Sequence, residues 1–64
     1  MMRTSQHVAI LVTAPDRRTA RRVARRALEL RLAACVQLLA GLESHYWWKG
    51  RMERSAEVLM IFKT

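Results

Sequence analysis

The sequence predicts an α+β fold, a βαββ unit whose last two strands form one long antiparallel hairpin. Three observations carry that expectation. A short apolar run from His7 to Thr13 stops at Ala14-Pro15-Asp16. Small and apolar residues then recur at helical spacing as far as Arg31. From Cys35 to Lys63, two stretches of strand-forming residues flank the turn pair Lys49-Gly50.

The elements follow in order. The spacing predicts a first strand over 7–13, with Val8, Ile10 and Val12 on one face and Ala9, Leu11 and Thr13 on the other. Both faces are largely apolar, as in a central strand. Pro15 cannot donate to a ladder and Asp16 is a favourable N-cap, so the helix is expected over 16–31. Its inward stripe is Ala20, Val23, Ala24, Ala27, Leu28 and Arg31, with arginines on the far side. Leu32-Ala33 closes the helix without Gly or Asn, which implies a short turn into the next strand.

The hairpin strands are expected over 35–48 and 51–63. Gly50 supplies the positive φ that a two-residue turn needs. Ala40-Gly41 marks a bulge where the incoming strand leaves the packed sheet. The outgoing strand is mixed near the turn and apolar on both faces at Val58-Leu59-Met60-Ile61-Phe62. A covered base with a projecting tip is the implied shape. An isolated two-stranded ribbon is marginal in water, so the tip needs a surface to rest on.

The chain has 64 residues, of which 52% are hydrophobic, enough for one small domain over 1–64. Cys35 is the only cysteine, which excludes an internal disulfide and suits a reducing, cytoplasmic setting. No signal peptide or membrane-spanning run is evident. The formal charge is +7, and six arginines, Arg17, Arg18, Arg21, Arg22, Arg25 and Arg26, fall within ten residues of the one helix. The bland reading of that run is a solvated helix face.

Strand, helix, strand, strand describes a split βαβ unit. A ferredoxin-like domain needs a further helix and strand, so the chain reads as the front, truncated portion of a domain. Four ordered segments sharpen this: Val12-Thr13-Ala14-Pro15-Asp16, Arg31-Leu32-Ala33-Ala34-Cys35-Val36, Tyr46-Trp47-Trp48-Lys49-Gly50 and Glu57-Val58-Leu59-Met60-Ile61-Phe62-Lys63-Thr64. Together they resemble the CutA divalent-cation tolerance family. The resemblance implies a ferredoxin-like (PII-like) fold, a homotrimer, and a β2–β3 hairpin that reaches across to neighbouring subunits. It also implies a role in tolerance to copper or another divalent cation, with no catalytic residues to carry over. The chain departs from the family at Ala40, where Pro is usual, and at Gln37, where Asn is frequent.

Cys35 matches the cysteine of the family's Leu-Ala-Ala-Cys segment and is the candidate metal ligand, since a soft thiolate suits Cu(I). Its apolar neighbours make burial in the core the leading alternative. Glu43 and His45 share a strand face and offer an adventitious cation site. Tyr46, Trp48 and Gly50 are the candidate subunit-interface residues, because Trp and Tyr dominate interface anchors. The alternative is a small basic nucleic-acid-binding module, with the three aromatics stacking on bases and Arg51 and Arg54 on phosphates. The strand Val58–Phe62 lacks the aromatic signature of an RNA-recognition sheet, so subunit contact is favoured and no nucleic acid or membrane partner is expected. Glu53 and Glu57 have no partner base and two glycines make no phosphate loop, which argues against an enzyme.

Overall fold

The computed structural model describes residues 8–64. Strand β1 spans Ala9–Ala14, helix α1 Arg17–Glu29, strand β2 Cys35–Trp48 and strand β3 Arg51–Lys63. The three strands form one antiparallel sheet in the order β1-β3-β2, and α1 lies across one of its faces.

Three expectations are corrected here. The first strand begins at Ala9 and runs to Ala14, and the position of His7 lies outside the described residues. That strand is an edge of the described sheet, while β3 is central. Its apolar outer face reflects an uncovered sheet surface: Leu11 is 66% exposed. The helix stops at Glu29 because Arg31 turns left-handed, at φ +57°. The Arg31 N–H bonds the Leu28 carbonyl at 3.0 Å and the Leu32 N–H bonds the Ala27 carbonyl at 2.9 Å. Those two bonds are a Schellman closure, with arginine standing where glycine is usual. Arg31 is therefore no part of the inward stripe.

At its other end, α1 is capped as its sequence suggests. Asp16 is extended, and its carboxylate accepts the Thr19 N–H at 2.7 Å. That bond satisfies one of the orphan donors of the first turn and holds the Asp16 carboxyl below its ordinary pKa of 3.8.

The core is small and one-sided. Ala20 and Ala24 of α1 meet Ala14, Val58 and Met60, with Val36, Leu38 and Phe62 packed around them. Only the alanines let the helix come this close to the sheet; Val23 and Leu28 flank the contact and stay 43% exposed. Met60 is the largest side chain that is fully enclosed.

Candidate functional site

The ribbon beyond the sheet base is built by one extra residue. Below Leu39 the β2 and β3 partners follow Leu38↔Met60 and Leu39↔Leu59, but above it they follow Leu42↔Glu57 and Glu43↔Ala56. The register slips by one between Leu39 and Leu42, where Gly41 adopts φ +87°. Because strand side chains alternate, this bulge inverts the faces of β2. Val36 and Leu38 point toward the helix. Beyond the bulge, the even-numbered residues Leu42, Ser44, Tyr46 and Trp48 stand on the opposite, open face.

That inversion puts two apolar patches on one face, separated by the paired Ser44 and Ser55. Leu59 and Ile61 lie on the open face of the base, beside Leu39 at 61% exposure and Leu11 at 66%. Tyr46 and Trp48 form the second patch toward the tip, at 44% and 59% exposure, across from Glu53 and Arg51. Their large rings are rigid and amphipathic, the kind of group that anchors an interface when desolvated. Gly50 does not contact a partner within the chain; it shapes the tip. Lys49 and Gly50 have φ of +51° and +74°, so the two-residue turn is left-handed at both positions. The Lys49 ammonium sits 5.8 Å from the centre of the Trp48 ring.

The other face of the ribbon carries the polar pair. His45 Nε2 and Glu43 Oε2 are 2.8 Å apart. A shallow depression beside them is lined by His45, Met52, Glu53 and Arg54, and Arg54 stands directly across from His45. A guanidinium there opposes a bound cation.

Cys35 is exposed rather than buried in the core, which corrects the packing alternative. It lies at the start of the edge strand β2, opposite Lys63 and on the uncovered face. Among the described residues, no group of three or more His, Cys, Asp or Glu stands together to hold a metal. One thiol, or one imidazole with one carboxylate, falls short of the four donors of a closed site. A metal centre is thus not assembled within one copy of the described residues. No helix among them is long and apolar enough to cross a membrane.

The parity inversion was the feature that sequence reasoning missed. Gly41 signalled a bend, but only the paired register reveals which face the aromatics take.

Comparison with known proteins agrees with this architecture. The profile of the CutA1 divalent ion tolerance protein family matches residues 8–64. A divalent-cation tolerance protein CutA from Pectobacterium atrosepticum is 53% identical over 57 residues, covering 89% of this chain and 52% of the relative. The human protein CutA is 48% identical over 56 residues, covering 88% of this chain and 31% of the relative. CutA from Synechococcus elongatus superimposes with a TM-score of 0.91 at 35% identity, covering 98% of this chain and 55% of that structure. CutA1 from Oryza sativa gives 0.88 at 40% identity, over 91% of this chain and 53% of that structure. The chain spans 31–55% of the length of these relatives. The sheet order, the long ribbon and a match that runs through every described element lead to one conclusion: the chain belongs to the CutA1 divalent ion tolerance protein family.

Proposed function

We propose that this chain serves divalent-cation tolerance as a non-catalytic scaffold, a homotrimer whose ribbons dock on neighbouring copies. One observation supports this above all. Apolar side chains stand on the open face in two patches, Leu11, Leu39, Leu59 and Ile61 at the base and Tyr46 and Trp48 near the tip, and nothing in the described residues covers them. A second copy of the same chain would bury the aromatic tip against such a surface, in a closed symmetric ring. Three copies is the number that the family resemblance implies.

In this reading a cation is held between subunits, because the described residues of a single copy bring too few donors together. Cys35 is the soft ligand in such a shared site, with copper as the fitting metal. An exposed thiol persists unpaired in a reducing compartment, which supports a cytoplasmic setting. Relatives carry different addresses in their names, chloroplastic for the rice protein and periplasmic for the one from Archaeoglobus fulgidus.

Size-exclusion chromatography with light scattering tests the assembly, with a mass near three times 7.5 kDa expected. A monomer at high concentration, with both tryptophans wetted in fluorescence quenching, would remove the scaffold. Copper titration of the intact chain beside Cys35→Ser tests the shared ligand. Equal affinity in the two proteins would exclude Cys35.

A further inference from the structure

A different face of the molecule carries charge rather than apolar surface. Arg17, Arg18, Arg21, Arg22, Arg25 and Arg26 are all exposed on α1. At about 100° per residue they occupy one half of the helix circumference, opposite Ala20, Ala24 and Ala27. Only Glu29 answers them, 3.5 Å from Arg25 and 3.9 Å from Arg26. Among the described residues, Arg17, Arg18, Arg21 and Arg22 make no ion pair; the nearby Asp16 carboxylate is engaged by the Thr19 N–H.

The arrangement is costly for the helix by itself. Arg17/Arg21, Arg18/Arg22, Arg21/Arg25 and Arg22/Arg26 are like-charged i,i+4 neighbours, and each pair is unfavourable. No lysine shares the face, so every cation on it is a flat guanidinium that can present two parallel N–H donors to two phosphate oxygens. From Arg17 to Arg26 the helix rises about 14 Å, and each i,i+4 row advances about 6 Å. That length matches about four phosphates of one strand, at roughly 3.4 Å of axis each.

We propose that the outer face of α1 is a nucleic-acid-binding surface that grips the phosphodiester backbone without reading sequence. A membrane surface fits less well. Helices that lie in a bilayer interface insert an apolar face, and the apolar face of α1 is already spent on the sheet. Within the arginine arc, Leu28 at its margin is the single apolar side chain. The aromatic ribbon takes no part in this contact and remains free for assembly.

The test is a fluorescence-anisotropy titration of the full chain on a labelled 20-base-pair duplex at 50 and 200 mM salt. Four phosphate contacts predict a slope of log affinity against log salt of about −3.6, a loss of roughly 150-fold between the two salts. In Arg18→Gln/Arg22→Gln/Arg25→Gln the slope falls to about −1 and the loss to roughly fourfold. Arg51→Gln/Arg54→Gln/Lys63→Gln removes the same charge elsewhere and keeps the original slope. Arg18→Lys/Arg22→Lys/Arg25→Lys keeps the slope while binding more weakly, because the bidentate fork is lost. Phenylglyoxal labelling of the unmodified chain supplies a readout that needs no variant, with duplex protecting the α1 arginines and leaving Arg51 and Arg54 reactive. No binding at 50 mM salt, or equal losses in the two glutamine triples, would overturn the assignment. So would displacement of the duplex by polyglutamate at equal charge, which points to an acidic protein, or preferential capture by phosphatidylserine vesicles. Labelling of all arginines alike with and without duplex would overturn it too.

Discussion

The two halves of this molecule obey different rules. In the base, α1 closes over β1, β3 and the first part of β2, and side-chain volume decides stability. In the ribbon beyond Gly41, backbone pairing continues from Leu42↔Glu57 to Trp48↔Arg51, yet the large side chains stay wet. Trp47 and Met52, paired across the ribbon, are 71% and 67% exposed. The difference teaches that secondary structure and burial are separable here. The base is organised for folding, and the ribbon is extended for contact.

Substitutions can break that contrast, and the largest effect belongs in the base. Met60→Ala removes the one large side chain that is fully enclosed among the described residues, at 1% exposure, and should cost about 2–5 kcal/mol. In a domain this small such a loss should abolish the cooperative transition in a circular dichroism melt. A retained sharp melt would show that the ribbon contributes stability of its own.

The next effect belongs to the ribbon and should leave the subunit's helix signal intact. Trp48→Ala or Tyr46→Ala should weaken self-association by roughly 30-fold or more, as expected for buried aromatic anchors. Light scattering across a dilution series reads this directly. Deleting Ala40 sharpens the same point: it removes the extra residue and makes one register run from base to tip, with Tyr46 still across from Glu53 and Trp48 across from Arg51 on the open face. The chain should then pair as a regular hairpin and keep self-associating, and light scattering would check it.

A smaller effect lies at the junction between Pro15 and α1. Asp16→Ala removes the cap and should lower the melting temperature by about 5 °C at pH 7. The Asp16 carboxyl titrates below its ordinary value because the Thr19 N–H bonds its charged form. Its contribution is therefore fully present above pH 3.8 and fades as pH falls through the lowered folded value. Melts of the two proteins should converge in strong acid. Equal melting temperatures at pH 7 would show that the cap does not support the helix.

The smallest effect is at the tip. Lys49 adopts φ +51°, where asparagine is better suited, so Lys49→Asn should stabilise the hairpin by a few tenths of a kcal/mol. Part of that gain is offset by losing the ammonium over Trp48. Tryptophan-monitored melts would register the change.

These elements were unequally visible in the sequence. The helix was legible because its alanines recur at helical spacing below a wall of arginines. The hairpin was legible because a glycine turn sits between two runs of matching length. Strand β1 misled because apolar residues on both faces suggest a central position, whereas one of its faces is uncovered surface. Cys35 misled for the same reason: flanking apolar residues do not reveal which side of a sheet is covered. Arg31 gave no warning of its left-handed turn, since only hydrogen bonds across the helix end expose it. The orientation of Tyr46 and Trp48 was hidden by a single residue of slip that no periodicity announces. The family motifs supplied the topology, but faces are a property of pairing.

The bulge at Ala40-Gly41 also acts mechanically. The ribbon from Leu42 to Trp48 is a lever about 23 Å long, hinged where the ladder is interrupted. A change of about 15° in backbone angle at that joint, within the ordinary scatter of strands, would sweep the aromatic end through roughly 6 Å. Small local chemistry at a glycine is thereby converted into displacement at a distant tip, and aim becomes as much a target for variation as affinity.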